Sequence, residues 1–347
     1  MKIALCGLPF SGKSTVFKAL AAKTIQPKTA GSGKIQLNIA TLEVKDERLQ
    51  KLAEILNSEK ITYPKISLVD LVYLGEAAAK GMDTAAIREF DALALVIGAF
   101  SGKDALSDLK NIESELILGD LQLVQNRIEK IHKEKKGTPK KEEDPELLLL
   151  KRLAQTLEGE TLLKDLTLGA DELKILAGFQ LLTLKPMVIV ANISEGQLKG
   201  QGWQDLKKQV EAKGEKFLSL CAKLEAEIEE LPEEERAEFM KELGLENLSR
   251  EKFIQICFQA QNKIMFFTVV GKEARAWPIT QGTSALGAAG SVHSDMERGF
   301  IRAEVINYKN FIECGSFAKA KEKGLLRLES KEYPVQDGDI INFKFSV

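Results

Sequence analysis

Residues 7–15 constrain the fold most strongly, because they match the phosphate-binding pattern G-x-x-x-x-G-K-[ST]. A short apolar run, Lys2–Cys6, precedes the motif and predicts a buried strand, and a helical pattern follows it from Lys13 to Ala22. The glycines let backbone N–H groups surround phosphate oxygens, and the helix N-terminus adds a partial positive charge. The alternative is a chance match at a strand–helix turn.

Three side chains have predicted roles at a bound nucleotide. Lys13 reaches the β- and γ-phosphates and is the predicted catalytic residue, and Ser14 offers its hydroxyl to Mg²⁺. Asp70 ends the strand predicted at 66–70, where a P-loop NTPase carries a Mg²⁺ ligand; a capping or turn aspartate is the alternative. The predicted nucleotide-binding residues of the loop are Leu8, Pro9, Phe10, Ser11, Gly12, Lys13, Ser14 and Thr15.

A second group of candidate residues follows the apolar strands predicted at 186–191 and 216–221. Ligands bind at the carboxyl ends of strands in open α/β sheets, so the Asn192 amide and the Glu195 carboxylate are predicted to contact a base edge. Cys221 and Ala222 follow the next strand and are predicted on the same rim. A polar turn is the alternative for residues 192–195.

Strands and helices alternate along most of the chain, which predicts an α/β fold with a Rossmann-like, mostly parallel sheet. A further strand is predicted at 92–97 and a helix at 48–56. Residues 24–34 are rich in Gly, Ser, Thr and Lys and are predicted to form a loop.

An inserted helical hairpin is predicted between the sheet strands, with a Lys-rich tip at 133–143. The heptad spacing of five apolar residues carries this prediction: Ile117, Leu121, Val124, Ile128 and Ile131. At the end of the chain, strands at 265–270, 274–279, 301–306 and 340–345 predict a small α+β module. The predicted domains are 1–110 with 181–263 for the nucleotide-binding domain, 111–180 for the insertion and 264–347 for the module.

Composition excludes several classes of protein. Apolar residues make up 44% of the 347, which excludes a wholly disordered chain, and no apolar stretch approaches the roughly 18 residues of a membrane-spanning helix. The four cysteines have no disulfide-framework spacing, so reduced thiols and a cytoplasmic location are predicted, with Cys6 as a buried strand residue rather than a redox switch. A net charge of −2 gives no general attraction to nucleic acid or membrane, and neither DNA nor membrane is expected as a partner.

In this order, the motifs resemble those of the YchF (Obg-like ATPase) family of P-loop proteins, which are TRAFAC-class NTPases. The resemblance covers nearly the whole chain and is most specific at 266–268, 272–277, 293–304 and 335–339. It implies that the insertion is a helical arm and that the last module is a TGS (ubiquitin-like) domain, regarded as contacting RNA or the ribosome. Asn192 and Glu195 match the family's N-x-x-E motif, which implies ATP at least as readily as GTP.

The sequence departs from the family pattern at positions expected to contact the phosphates of the nucleotide. Phe10 and Ser11 replace the Asn and Val of the usual loop G-L-P-N-V-G-K-S. The D-x-x-G motif reads Asp70-Leu71-Val72-Tyr73, so Tyr73 replaces the glycine whose N–H meets the γ-phosphate. Gly75 could serve only in a rearranged loop, and Leu74 fits the hydrophobic residue that the family carries in place of a water-positioning glutamine.

The threonine that binds Mg²⁺ in switch I also has no clear counterpart. Alignment back from Lys51 places Lys34 there, and Thr29 or Thr41 could take its place, although no sequence signal favours either. A missing oxyanion-type donor costs about 10²–10³ in rate, so slow hydrolysis or none is expected.

The resemblance and the motifs together predict a Mg²⁺-dependent ATP- or GTP-binding switch with weak hydrolysis, acting on ribosomes or ribosomal RNA through the TGS domain and the arm. The alternative is a hydrolysis-deficient nucleotide-binding adaptor, which Tyr73 favours. A small-molecule kinase ranks last, because the segment after Lys103 has no arginine cluster for a lid.

Overall fold

The computed structural model of the chain describes residues 1–21, 25–30, 35–73, 82–101, 104–134, 144–200, 202–245 and 247–346. The chain forms two compact units. The amino-terminal unit comprises Met1–Thr41 and Ser67–Ile256. The carboxy-terminal unit comprises Leu42–Ile66 and Cys257–Val347. The α/β fold predicted from the alternating pattern is confirmed.

A seven-stranded sheet forms the centre of the amino-terminal unit, in the order β2-β3-β5-β1-β6-β7-β8. Its strands are β1 (Lys2–Cys6), β2 (Ile25–Ala30), β3 (Ile35–Glu43), β5 (Lys65–Tyr73), β6 (Ala92–Gly98), β7 (Met187–Asn192) and β8 (Lys216–Leu220). The run from β5 to β8 is parallel. Every residue of β6 and β7 is buried, as expected for parallel strands covered on both faces. The mostly parallel sheet predicted from these apolar runs is therefore confirmed.

Helices cover this sheet and form the insertion. Those of the amino-terminal unit are α1 (Lys13–Ala21), α3 (Ala105–Glu134), α4 (Pro145–Glu158), α5 (Ala170–Leu176), α6 (Gln204–Ala212), α7 (Ala222–Glu230), α8 (Glu233–Glu242) and α9 (Ser249–Ala260). The predicted hairpin corresponds to α3 and α4, which pack against each other. Ile117, Val124 and Ile131 of the heptad are buried, and Leu121 and Ile128 lie partly buried beside the same core. The predicted tip falls mainly on 135–143, outside the described residues.

A buried carboxylate joins the base of the hairpin to the rest of the unit. Asp120 of α3 is fully buried and accepts hydrogen bonds from the Arg88 guanidinium at 2.6 Å and from the Leu182 N–H at 3.0 Å. It also accepts bonds from the Thr183 N–H at 2.8 Å and the Thr183 hydroxyl at 2.7 Å. The buried charge is therefore both paired and hydrogen-bonded, which is the condition for its stability in a core.

Two local predictions are wrong. Residues 25–30 were predicted as part of a loop, but they form β2, which pairs antiparallel with β3 from Ile25 opposite Ala40 to Ala30 opposite Ile35. Cross-strand pairing outweighs the loop-like composition here, since strand preference depends strongly on neighbouring strands. Asp70 does not end its strand, because β5 continues through the strand-forming Leu71, Val72 and Tyr73.

The carboxy-terminal unit contains a six-stranded sheet in the order β12-β11-β13-β9-β10-β4. The strands are β4 (Lys60–Thr62), β9 (Lys263–Val270), β10 (Glu273–Thr280), β11 (Phe300–Asn307), β12 (Arg327–Glu329) and β13 (Asp339–Phe345). The helices are α2 (Glu47–Ile55), α10 (Ala285–Val292), α11 (Ser294–Arg298), α12 (Tyr308–Cys314) and α13 (Phe317–Glu322). The four strands predicted in this part of the sequence correspond to β9, β10, β11 and β13.

Residues 42–66 pack with this unit, although the sequence placed them in the 1–110 segment. The reason is non-local pairing: β4 lies parallel to β10, and the Thr62 hydroxyl donates to Glu273 at 2.6 Å. The Arg48 guanidinium also bonds Asp337 at 2.6 Å. The three-part domain division stays a prediction. Within the described ranges of the chain, no helix is both long and apolar enough to cross a membrane.

Candidate functional site

The phosphate-loop motif connects β1 to α1, as its sequence predicts. The loop closes on itself through a hydrogen bond from the Ser11 N–H to the Leu8 carbonyl at 3.1 Å. Gly12 has a φ of 78°, and a Cβ there would lie 2.2 Å from the Asn192 Nδ2. Position 12 therefore requires glycine for both backbone conformation and space. The N-terminus of α1 then opens toward the loop, which favours an anion.

Phe10 and Ser11, the two departures in the loop, have unusual environments. Phe10 adopts a left-handed φ of 67° and its side chain is 91% exposed. This conformation strains a bulky residue, whereas asparagine tolerates it better. The Ser11 hydroxyl is buried and has no hydrogen-bond partner among the described residues. Valine, which the family carries there, would leave no such group.

Lys13, Ser14 and Asp70 come together at the mouth of the loop. Asp70 lies opposite Leu5 in the parallel β1–β5 pair, which brings its carboxylate to the start of α1. The Lys13 ammonium pairs with one Asp70 oxygen and also donates to the Leu71 carbonyl at 2.8 Å. The Ser14 hydroxyl donates to the other Asp70 oxygen at 3.0 Å. The sequence predicted these three side chains together, but no sequence signal marked the Leu71 carbonyl.

Ser14 and Asp70 fit the partial ligand set that a Mg²⁺ ion uses at a nucleotide. The hydroxyl and carboxylate are hard oxygen ligands, and Mg²⁺ is usually held by one or two such groups together with phosphates and water. Within the described parts of the chain, no three His, Cys, Asp or Glu side chains cluster as a self-sufficient metal site. Two protein ligands leave the other positions around a Mg²⁺ ion to phosphate oxygens and water.

An open cleft of about 420 Å³ lies over the loop. Its floor is formed by residues 5–15, which include every predicted phosphate-binding residue from Leu8 to Thr15. One wall is apolar and consists of Leu71, Val72, Met82 and Ile87. Leu71 and Val72 belong to the D-x-x-G motif, whereas no sequence signal marked Met82 and Ile87. The cleft thus brings the backbone of the phosphate loop and Lys13 together with an apolar wall.

The Asn192 side chain supports the phosphate loop through a hydrogen bond. It is the last residue of β7, lies opposite Gly98 and Leu220 of the neighbouring strands, and is only 5% exposed. Its Nδ2 donates to the Ser11 carbonyl at 3.1 Å, and its Oδ1 accepts from the Ala222 N–H at 3.3 Å. The amide thus joins the phosphate loop to the start of α7.

Glu195 and Cys221 lie on the same rim, as predicted. Glu195 is exposed in a short 3-10 turn after β7, and Cys221 is buried directly after β8. Burial raises the pKa of the Cys221 thiol, and the nearby Glu195 carboxylate contributes in the same direction. The rim therefore presents an exposed carboxylate beside a neutral thiol and the Ala222 backbone.

The Cys6 thiol is buried in β1. Burial raises the pKa of its thiol to about 12, against a smaller opposing effect of Lys13. Reactive cysteines are thiolates in partly exposed, electropositive surroundings. Cys6 is instead a core residue of β1, in agreement with the sequence prediction.

The region expected to sense the γ-phosphate is described only in part. Tyr73 is the last residue of β5, and Leu74, Gly75 and Lys34 lie outside the described residues. Thr29 pairs with Gln36 in the β2–β3 ladder, and Thr41 lies in β3. The D-x-x-G position therefore carries a strand tyrosine rather than a turn glycine.

The chain is similar to known proteins both in its carboxy-terminal part and over its whole length. Residues 264–346 match the family YchF-GTPase_C, described as "Protein of unknown function (DUF933)". Over its whole length the chain is similar to the "Ribosome-binding ATPase YchF" of Haemophilus ducreyi, with 36% identity across 100% of this chain and 99% of the relative. The Bacillus subtilis protein of the same name is 34% identical across 99% and 98%.

The fold of the chain is also similar to that of a solved structure. The structure of the Schizosaccharomyces pombe YchF GTPase superposes with a TM-score of 0.80 at 25% identity and covers 99% of this chain and 97% of its own. The similarity therefore extends through both packed units and the inserted helices.

Proposed function

This chain belongs to the YchF family, and from that premise we propose that it binds ATP or GTP with Mg²⁺ over the phosphate loop, hydrolyses the nucleotide slowly, and acts as a nucleotide switch on ribosomes. Its relatives are named ribosome-binding ATPases, and the structurally similar yeast protein is named a GTPase. A ribosomal partner would also account for the predicted cytoplasmic location.

The convergence of Lys13, Ser14 and Asp70 beneath an anion-binding loop is the observation that supports this proposal. An ammonium, a hydroxyl and a buried carboxylate meet where the N-terminus of α1 attracts phosphate. Each group has a use at a nucleoside triphosphate: one neutralises phosphate and two orient a divalent cation. A structural ion pair alone would not need the glycine-lined cleft beside it.

On nucleotide binding, Lys13 exchanges its bonds to Asp70 and Leu71 for bonds to phosphate oxygens. The loop amides and the N-terminal N–H groups of α1 bind the remaining oxygens. Ser14 and Asp70 are the residues that would hold Mg²⁺, directly or through water, and the metal supplies charge neutralisation at the β- and γ-phosphates. Lys13 is the proposed catalytic residue because it neutralises charge that grows in the transition state.

The purine base is proposed to lie on the rim formed by Asn192, Glu195, Cys221 and Ala222. The amide of Asn192 is already oriented by the loop and by α7. Glu195 stands three residues after Asn192, as the aspartate of the N-K-x-D motif of true GTPases does, but its side chain is one methylene longer. Its carboxylate therefore no longer favours guanine's two donors as that aspartate does. We therefore propose that ATP binds at least as well as GTP.

Hydrolysis is proposed to be weak because the D-x-x-G motif has a tyrosine in place of its glycine. Tyr73 keeps a backbone N–H but carries it in strand β5, whereas the family's glycine would present it to the γ-phosphate from a turn. A donor that does not reach the γ-phosphate costs about 10²–10³ in rate. Single-turnover hydrolysis of radiolabelled ATP and GTP with Mg²⁺ tests this, with Lys13→Ala as the control. Turnover that is slow in the wild type and lost in the variant supports a weak NTPase. Turnover that is equal in both supports the alternative, a hydrolysis-deficient adaptor.

Ribosome association is proposed to involve the helical arm at 111–180 and the TGS-like module at 264–347. Co-sedimentation with purified ribosomes in the presence of ADP or a non-hydrolysable ATP analogue tests the switch. Binding that differs between the two nucleotides supports it, and identical binding with both contradicts it.

A further inference from the structure

Gln197 lies just beyond the N-x-x-E motif, and the proposed function gives it no role. It lies in the short turn after β7, two residues beyond Glu195. Its side-chain Oε1 accepts hydrogen bonds from the Ser194 N–H at 2.8 Å and from the Ser194 hydroxyl at 2.9 Å. These two bonds fix the backbone of the segment that carries the candidate base-contacting carboxylate.

The other end of the same side chain reaches a second loop. The Gln197 Nε2 donates to the Ala99 carbonyl at 3.0 Å, directly after β6. Phe100, the next residue, is 41% exposed, and one carbon of its ring lies 3.6 Å from where a Cβ on Gly12 would be. A single amide therefore ties the loop after β7 to the loop after β6, on the side where that loop meets the phosphate motif.

The backbone of Gln197 is held as well. Its carbonyl accepts a bond from the Trp203 indole N–H at 3.2 Å, and Trp203 stacks on Phe217 of β8 with ring centroids 5.6 Å apart. Gly202 has a φ of 84°, and a Cβ there would lie 2.9 Å from the Gln197 Nε2. The amide is thus enclosed by groups that hold it in one orientation.

We propose that Gln197 is a positioning residue that orders the base-binding rim, so that it determines how much the purine base adds to affinity. This inference rests on the proposed nucleotide-binding function. A helix-capping role would need only the bonds to Ser194, whereas the bond to Ala99 fixes one loop against another. Preorganised groups bind a ligand without the cost of ordering them, so removing the amide reduces affinity for the base but not for phosphate.

Titration calorimetry with two probes in Mg²⁺ separates these contributions: ATP, which carries the base, and inorganic tripolyphosphate, which does not. Gln197→Met keeps the length of the side chain and removes its hydrogen bonds. We expect its Kd for ATP to rise about tenfold, the effect of losing one or two net hydrogen bonds, while the Kd for tripolyphosphate changes less than about twofold. Gln209→Met, at an exposed position on α6, is the matched control and leaves both constants unchanged.

A milder variant keeps the test decisive if Gln197→Met folds poorly. Ser194→Ala removes only one of the bonds to Gln197, and its Kd for ATP is expected to rise about two- to threefold with no change for tripolyphosphate. Equal weakening of both probes, or no weakening of either, overturns the positioning role while leaving nucleotide binding intact. A wild-type protein that binds tripolyphosphate as tightly as ATP also overturns it. Absence of wild-type binding to both probes overturns the proposed function itself.

Discussion

Asp70 holds Lys13 when no nucleotide is bound, and this pairing predicts an unusual response to Mg²⁺. Replacing Asp70 with asparagine keeps the shape of the side chain but removes the charge that attracts the ammonium. We expect Asp70→Asn to bind ATP more tightly than the wild type in EDTA, since Lys13 no longer has to leave a buried carboxylate and the phosphates no longer face it. The same change removes a Mg²⁺ ligand, so the gain in affinity from Mg²⁺ is lost.

The size of the expected gain in ATP affinity follows from the surroundings of the Lys13–Asp70 pair. The Asp70 side chain is fully buried, the Lys13 side chain is 19% exposed, and Lys13 has a second acceptor in the Leu71 carbonyl. A hydrogen bond to a charged group contributes about 1.5–3 kcal/mol, which corresponds to about 10- to 100-fold in affinity. The Leu71 bond persists in the variant, so the lower figure, about tenfold, is expected.

Calorimetric titration of ATP in EDTA and in Mg²⁺ measures both effects. Asp171→Asn on α5 is the control, because its side chain is 91% exposed and pairs only with a surface lysine among the described residues. In Mg²⁺ the wild type should gain affinity and Asp70→Asn should not. An Asp70→Asn variant that binds ATP in EDTA no more tightly than the wild type would refute the restraining role of Asp70.

Three further substitutions should change stability, measured as the free energy of unfolding in urea. Phe10→Asn should stabilise the protein by up to about 1 kcal/mol, because asparagine tolerates the left-handed φ of 67°. A loss of stability would show that the exposed ring makes stabilising contacts. Ser11→Val should raise the free energy of unfolding by about 1–2 kcal/mol, because it removes a buried hydroxyl without a partner among the described residues. No gain in stability would show that this hydroxyl is hydrogen-bonded in solution. Asp120→Asn should cost about 3 kcal/mol or more, since Arg88 loses the carboxylate that compensates its charge, and a cost below about 1 kcal/mol would contradict the importance of this pair.

The sequence predicts features that depend on local pattern. The phosphate loop, its flanking strand and helix, and the heptad of α3 are each determined by residues close together in the chain. The sequence also places Asn192 and Glu195 after an apolar strand, and in the structure Asn192 ends β7 while Glu195 lies in the turn that follows. Their contact with a base stays a prediction, which rests on the position of ligands at the carboxyl ends of parallel strands.

Features that depend on distant pairing were not predictable from one sequence. β4 joins β10 through residues such as Thr62 and Glu273, 211 positions apart, so no local signal moves residues 42–66 out of the first segment. The strand at 25–30 exists because β3 lies beside it. The contact between Gln197 and the Ala99 carbonyl is likewise set by the neighbouring positions of β6 and β7 in the sheet.

Nucleotide binding at the phosphate loop is the central claim, and titration of the purified protein with ATP and GTP in Mg²⁺ tests it most directly when wild type and Lys13→Ala are compared. The account predicts micromolar binding by the wild type, with ATP at least as tight as GTP, and loss of binding to both nucleotides in Lys13→Ala. Absence of wild-type binding, or binding that Lys13→Ala leaves unchanged, would contradict it.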